Sequence, residues 1–370
     1  ALVPHHGGGP FLCPFFFALC KVGVHIDKGQ GHEVTMDRRR IGVLMGDLSA
    51  ERDVSFTTGL AICDALAQRG YEVTPIVVDR DLDRQLRQSP IDVAFLALHG
   101  RCGEDGCIQG LLEMMGIPYT GSGVLASALC MHKVKAKELF RLHNVPTPPY
   151  YVHDVHGTAD VASLHGPFGF PVVDKPVAEG SSLGVTVAST IEELYLAVEQ
   201  ARTYAGQVLV ERYVRGKQVS VVLFTGQVLG AVEVERAGEF FDDSSTDQSG
   251  LSRYHIPARL PPVQYQAVLE LARRAQSALG CHGASRVDLI ATDGDNEYVL
   301  EVNTQPELAP NSLVSRLAAV QGMDFGDLCE QLLALAGLHA GGNPVESVRA
   351  VSEHQGGPGR GVGAVHRLLI

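Results

Sequence analysis

The chain has 370 residues, with 30 Lys+Arg against 42 Asp+Glu and a formal net charge of −12. That length suits two or three domains, and 45% hydrophobic with 19% charged residues is ordinary for a soluble globular protein. The acidic balance argues against nucleic acid or an anionic membrane as partner, and no apolar run is long enough to span a bilayer. The eight cysteines form no C-x-x-C and no Cys/His ligand spacing, so a reduced, cytoplasmic compartment is expected.

Residues 1–35 carry G-G-G-P and the apolar patch F-L-C-P-F-F-F-A-L-C, without a basic leader or an A-x-A cleavage site. They are expected to lie outside the folded unit, which starts cleanly after Met36. The run from Arg40 to Asp47 reads as a buried strand. S-A-E-R-D-V-S then opens a helix through Gly70, with Ser49 as its cap and acids in the first turn. Y-E-V-T-P-I-V-V-D and I-D-V-A-F-L-A-L-H-G are two further strands. Strands alternating with helices predict a parallel sheet covered on both faces, with ligands at the strands' carboxyl ends. Those ends carry Gly46-Asp47, Glu51 just beyond, and His99-Gly100; a strand-end H-G also reads as a plain turn.

A Gly-rich loop, H-G-R-C-G-E-D-G-C-I-Q-G, runs into a helix, but no Lys follows to make a G-x-x-x-x-G-K phosphate loop. No G-x-G-x-x-G follows the first strand, so a dinucleotide fold is poorly supported. S-A-L-C-M-H-K-V-K-A-K-E-L-F reads as one helix bearing Lys133, Lys135 and Lys137, whose plain reading is a solvated basic face. P-T-P-P-Y-Y-V is a connector. After it, a strand delivers Lys175, and a loop with Gly180, Ser181, Ser182 and Gly184 offers backbone N–H groups and hydroxyls to an anion. A flexible hairpin tip is the better reading of E-G-S-S alone; the strand-borne Lys175 shifts the balance toward an anion site. Glu211 ends the next strand, where it could hold an adenine amino group. A hairpin from Gln218, a polar acidic loop over 239–253, and a helix from Pro262 to Leu279 follow.

R-V-D-L-I-A-T-D-G-D-N-E-Y-V-L-E-V-N predicts two antiparallel strands joined by a polar turn. Glu301 and Asn303 are two apart and share a face, onto which the pairing can bring Asp288. Two carboxylates and one amide oxygen form a hard ligand set suited to Mg²⁺ held with substrate phosphates; surface acids on a solvated hairpin are the plain alternative. M-D-F-G-D-L-C-E-Q-L-L-A-L-A is a last amphipathic helix, and residues 341–370 read as a Gly-rich tail.

Taken together, these stretches resemble the D-alanine–D-alanine ligases of the ATP-grasp fold. S-A-E-R-D-V-S at 49–55, L-H-G-R-C-G-E-D-G-C-I-Q-G at 98–110 and I-P-Y-T-G-S-G-V-L-A-S-A-L at 117–129 carry the resemblance. So do K-P-V-A-E-G-S-S-L-G-V at 175–185, R-V-D at 286–288 and E-V-N-T-Q-P at 301–306. The match runs in order over roughly 38–338. It implies an α/β ATP-grasp ligase with an N-terminal parallel-sheet domain (36–131), a small central domain (132–216) and a C-terminal α+β domain (217–340).

The implied reaction joins two D-alanine molecules through an acyl phosphate for peptidoglycan precursors, with ATP and two Mg²⁺ (or Mn²⁺) as cofactors. By resemblance, Lys133, Lys175, Ser182, Glu211, Val214 and Gln218 bind ATP, and Asp288, Glu301 and Asn303 hold the metal ions. Glu51 holds the first D-alanine's ammonium with His99 nearby, Ser181 links to Glu51, and Arg286 stabilises the oxyanion. Ser312 and Leu313 bind the second D-alanine's carboxylate, and a homodimer is the implied assembly.

Departures cluster near the site. Asp174 replaces an apolar residue and could pair with Lys175 or repel phosphate. Gln218 stands for a ribose-binding Glu, His132 for an Asp, and Glu307 for a Gly of the oxyanion hole. Asp243, Thr246 and Asp247 occupy places of a Tyr-x-x-Lys-Tyr loop. Alternative readings are a changed second substrate (D-serine or D-lactate), another ATP-grasp carboxylate–amine ligase, or a silent homologue that only binds.

Overall fold

The computed structural model describes residues 39–46, 51–180, 184–204, 206–236, 252–294 and 296–340. Residues 1–35, Asp47, Ser49, Ser181, Ser182, Asp243, Thr246, Asp247 and the tail from 341 lie outside them, and with them the expectations placed on those positions.

Three strands, β1 (Arg40–Met45), β2 (Glu72–Val77) and β3 (Val93–Leu96), form a parallel sheet in the order β2-β1-β3. Helix α1 (Arg52–Gln68) covers one face; α2 (Leu82–Gln88) and α3 (Cys107–Met115) cover the other. The pleat decides the sorting: Ile41, Val43 and Met45 enter the α1 side, while Leu44 turns to the α2–α3 side. Both faces are therefore apolar, as the near-continuous hydrophobic strands predict. The strand ends are tied together by Ser55, whose hydroxyl accepts from the Gly46 N–H at 2.8 Å and donates to the Ala97 carbonyl at 2.6 Å.

The single helix expected from Ser127 is two, α4 (Val124–Met131) and α5 (Lys133–Leu142), broken at His132 (φ −87°, ψ 89°). Two contacts hold the break. The Lys133 N–H donates to the Val177 carbonyl at 2.9 Å, and His132 Nδ1 caps α5 by accepting from the Lys135 N–H. Both helices pack on the last sheet, with Cys130, Ala136 and Phe140 in its core.

A four-stranded antiparallel sheet follows: β4 (Tyr150–Asp154), β5 (Val172–Pro176), β6 (Thr186–Ala188) and β7 (Gln207–Arg212), in the order β4-β7-β5-β6. Helices α6 (Val161–His165) and α7 (Ile191–Ala201) cover one face through Val172, Val208, Val210, Leu194 and Val198. The third sheet has β8 (Lys217–Phe224), β9 (Gln227–Arg236), β10 (Ser252–His255), β11 (Ala284–Ala291) and β12 (Glu297–Asn303). Its order is β10-β9-β8-β11-β12, all antiparallel, with α8 (Pro262–Leu279) packed on it. The α8 limits are those expected from the sequence. Strand β10 was not expected; its first two residues, Ser252 and Arg253, fall in the acidic stretch read as loop.

Helices α9 (Leu313–Val320) and α10 (Phe325–Ala334) return to the first sheet. Leu328 and Leu332 share a core with Ile41, Val43 and Ile62. Arg69 at the end of α1 pairs with Asp324, Asp327 and Glu330 of the α10 region. The segment after α10 makes an antiparallel bridge, Gly337 to Tyr119.

Candidate active site

The β11–β12 pairing places Asp288 opposite Glu301 and Arg286 opposite Asn303, with a bulge after Asp288. Four polar side chains thus gather at one end of one antiparallel pair. Asp288 is buried and well satisfied: Ser220 donates to Oδ1 at 2.6 Å, and Arg286 Nε lies 3.1 Å from both carboxylate oxygens. The Asp288 charge, with Glu301 and Glu104 adding to it, raises the Arg286 guanidinium above its ordinary value. Asn303 Oδ1 accepts from the Gln305 N–H at 3.2 Å, which fixes the amide oxygen's direction. Glu301 faces Lys133, whose Nζ is 3.7 Å from Oε2 and donates to the Glu179 carbonyl. Burial alone would raise Glu301, but Lys133, Lys175 and Arg286 hold it below the usual carboxylate value.

A second cluster lies on β7 and β5. Glu211 is fully buried between two lysines, with Lys175 Nζ at 2.6 Å and Lys137 closer still. Burial opposes the Glu211 charge, yet the two ammonium groups keep it ionised. Lys137 is just as buried, which pushes it down to about 8, so it is the cation that gives up its proton first. The solvated-face reading of the three lysines therefore fails for Lys137 and holds for Lys135, which pairs with Glu138 at the surface. The physical reason is the 3.6-residue period. Lys133 and Lys137, four apart, share the face turned to the site, and Lys135 points away.

The first sheet contributes Glu51, His99 and Glu104. Glu51, and not Ser49 as expected, is the N-cap residue of α1, without a side-chain capping bond. His99 is buried just beyond β3. Glu104 was not among the expected site residues, although it stands inside the quoted G-R-C-G-E-D-G run. Its Oε1 accepts from the Gly100 N–H at 3.0 Å. Burial, and then the Glu51 charge, push its carboxyl up to about 8. A Cβ placed on Gly180 would lie 3.2 Å from Glu51 Oε2 and 3.4 Å from Glu104 Oε1. The Gly-rich loop thus reaches the two acids at a position where only hydrogen fits comfortably. Gln305 was missed as well: its Nε2 donates to the Gly103 carbonyl at 2.9 Å, joining the segment after β12 to the loop bearing Glu104.

Electrostatic reach joins these groups. Glu104 feels Glu51, Arg286 and Glu301, and Lys175 feels Glu211, Glu301 and Asp288. Among the described residues, the network's contacts do not extend to Gln218, Val214, Ser312 or Leu313. Gln218 lies on β8 between Val234 and Ile290, and Val214 is half-buried in the loop after β7. Ser312 caps α9, its hydroxyl accepting from the Ser315 N–H, and Leu313 is the first helical residue. A helix start of that kind suits a carboxylate.

One of the suspected departures is corrected. Asp174 neither pairs with Lys175 nor faces phosphate. Successive strand residues point to opposite faces, so Lys175 turns to Glu211 while Asp174 turns into the core, in line with Val210 and Tyr151 across three strands. It is fully buried, both its oxygens lack partners, and burial pushes it up to about 7. Glu307 keeps an ordinary backbone: the described non-glycine residues with positive φ are Cys102, Asn144 and Thr225. Its backbone thus carries no left-handed strain.

Residues 139–334 match the family described as D-ala D-ala ligase C-terminus, and residues 81–122 match D-ala D-ala ligase N-terminus. A D-alanine--D-alanine ligase from Anaeromyxobacter sp. (strain Fw109-5) is 45% identical over 302 residues, covering 82% of this chain and 98% of that protein. One from Geotalea uraniireducens is 46% identical over 300 residues, covering 81% and 96%. Among solved structures, the Bacillus anthracis D-alanine--D-alanine ligase complexed with ATP superposes with a TM-score of 0.72 at 31% identity, covering 85% of this chain and 99% of that one. The VanG D-Ala:D-Ser ligase of Enterococcus faecalis gives 0.71 at 27% identity, covering 80% and 99%. The fold is that of an ATP-grasp ligase. Within that class, the chain belongs to the D-alanine–D-alanine ligase family.

Proposed function

We propose that this protein joins two D-alanine molecules into D-alanyl-D-alanine at the expense of ATP, supplying a peptidoglycan precursor. The observation that carries the site assignment is the register of β11 and β12, which sets Asp288 against Glu301 and Arg286 against Asn303 beside Lys133. The donor set fits a hard divalent cation: two carboxylates and one amide oxygen, all oxygen, with Asp288 and Asn303 already oriented by Ser220 and Gln305. Asp288, Glu301 and Asn303 would hold two Mg²⁺ or Mn²⁺ ions, which when bound neutralise the phosphates.

The chain's own residues then divide the work. Lys133, Lys175 and Ser182 bind the phosphates. Glu211, Val214 and Gln218 receive the adenosine. Glu51 holds the first D-alanine's ammonium, with His99 and Ser181 positioning it, so that its carboxylate meets the γ-phosphate. The second amine attacks the resulting acyl phosphate. Arg286 stabilises the negative charge that develops on the acyl oxygen. The α9 start at Ser312 and Leu313 receives the second carboxylate. Domains 36–131, 132–216 and 217–340 form the working unit, with α5 leaning from the central segment onto the C-terminal sheet. No described helix is long and apolar enough to cross a membrane. A cytoplasmic homodimer completes the reading, on the strength of the family resemblance.

The test is phosphate release from ATP with D-alanine and Mg²⁺, with the dipeptide product identified by mass. Dipeptide formation by the full chain, lost in Glu301→Ala with the fold retained, is expected. Turnover only when D-serine or D-lactate is added would overturn the choice of second substrate. No turnover with any acceptor would overturn the enzyme.

A further inference from the structure

Three stretches far apart in sequence meet around α4 and the turn after α8. The turn after α8, residues 281–283, is docked on the segment before α4 from both sides. Ser122 Oγ accepts from the His282 N–H and donates to the His282 carbonyl, each at 3.0 Å. A Cβ on Gly283 would lie 3.0 Å from Gly121 Cα, so the two backbones are in contact. From the third stretch, the Leu335 carbonyl meets His282 Nε2 at 3.0 Å, and the His339 ring packs on His282 at 5.0 Å. Inside this junction, Cys130 of α4 and Cys281 of the turn bring their sulfurs to 3.5 Å. Both are free thiols, Cys130 buried and Cys281 half-buried. Nothing in the ligation chemistry uses them.

We propose that Cys130 and Cys281 are a peroxide-sensitive dithiol, whose disulfide pins the end of α4 to the turn ahead of β11. A disulfide needs the sulfurs at about 2.0 Å, a closure of roughly 1.5 Å from their present contact. The junction already fixes the register of both segments, so that small movement needs no rearrangement of the fold. Cys281, the more accessible, reacts first. Its thiolate attacks one oxygen of a hydroperoxide, the O–O bond breaks, and the departing hydroxide takes a proton to leave as water. The product is a Cys281 sulfenic acid. The Cys130 sulfur then attacks the Cys281 sulfur. The S–S bond forms, the S–O bond breaks, and the hydroxyl leaves as water with the Cys130 proton. Two thiols lose two electrons, and one hydrogen peroxide becomes two waters. Thiol reductants of a reducing compartment reverse the bond by exchange.

The cysteines are 151 residues apart in sequence, so the bond closes a long loop and restricts the unfolded chain strongly. It also ties the helix leading to Lys133 to the strand bearing Arg286 and Asp288.

The experiment treats the folded full chain with hydrogen peroxide, alkylates remaining thiols and maps the peptides by mass spectrometry. Expected are a Cys130–Cys281 linked peptide, a rise in Tm of roughly 5 °C, and loss of both on adding dithiothreitol. Cys281→Ser, at the half-buried position, should show neither response. Because Cys130→Ser risks the core, the oxidised and reduced wild-type protein are compared directly as well. Full alkylation of both thiols after peroxide would overturn the proposal. So would over-oxidation of Cys281 without capture of Cys130, a link between Cys102 and Cys107 in its place, or an unchanged Tm in the linked protein.

Discussion

Replacing Asp174 with Val should stabilise the protein, and by an amount that grows with pH. Asp174 is fully buried on β5 beside Val210, both its oxygens are without partners, and burial lifts it from 3.8 to about 7. In the unfolded chain the same carboxyl titrates at its ordinary value. Between the two values the folded state keeps a proton that the unfolded state has released. Stability therefore falls as pH rises through that window, by about 1.4 kcal/mol per pH unit, and levels off above about 7. Three units give about 4 kcal/mol, an order-of-magnitude penalty for a lone buried charge. Tyr151, in line with Asp174 across the sheet, and His165, whose Nδ1 meets the Tyr151 hydroxyl at 3.0 Å, are unchanged by the substitution. Burial lowers His165, so its own contribution runs the other way, and it cancels in a comparison of variant with wild type. The assay is urea unfolding of wild type, Asp174→Val and Asp174→Asn from about pH 4 to about pH 8, with hydrogen exchange at β5 and β7 to locate the effect. The Val variant's advantage should grow by about 4 kcal/mol over that range. Asn should remove the pH dependence while keeping a buried polar group. An advantage independent of pH, or an Asn variant as pH-sensitive as wild type, would refute the reasoning.

Two further outcomes follow from contacts in the site. Glu211→Gln strands two lysines, Lys137 and Lys175, in a buried place. Breaking such a pair costs about 3–5 kcal/mol, so a marked fall in Tm together with a higher KM for ATP is expected; an unchanged Tm would show that the lysines find another partner or lose protons easily. Gly180→Ala puts a methyl group 3.2 Å from Glu51 Oε2 and 3.4 Å from Glu104 Oε1. Displacing the Glu51 carboxylate should raise KM for D-alanine about tenfold, or about 1.4 kcal/mol, with Tm nearly unchanged. A rise in KM for ATP alone would place the Gly180 loop's role at the phosphates instead.

The metal-type hairpin was readable because its information is local. Strand formers flank a polar turn, and a period of two fixes which residues share a face, so the 286–303 pairing follows from adjacent residues. Helix α8 was readable for the same reason: Pro at its first position and Gly280 at its left-handed C-cap mark both ends. The break at His132 was not. Helix-forming residues run straight through it, and the turn is held by the Val177 carbonyl, 44 residues on in sequence. Docking of α10 on α1 through Arg69 is equally non-local.

The side chains behave in the same way. Residue type and motif pointed to Lys133, Lys175 and Asp288, and the helical period sets Lys137 on the face of Lys133, but nothing local says that this face is buried, or separates Glu104 from the surface acids around it. What separates them is burial, and burial depends on which sheet lies opposite. Lys137 becomes a site residue because β7 sets Glu211 under α5. Glu104 gains its unusual proton affinity from burial first, and then from the charge of Glu51, about fifty residues away on another element. Asp174 is the converse case. One residue from the ATP-type lysine, it looks like a perturbation of phosphate binding, yet the pleat sends it to the far side of the sheet. There it affects the stability of the β5–β7 region and leaves the charge around the phosphates almost untouched below about pH 7.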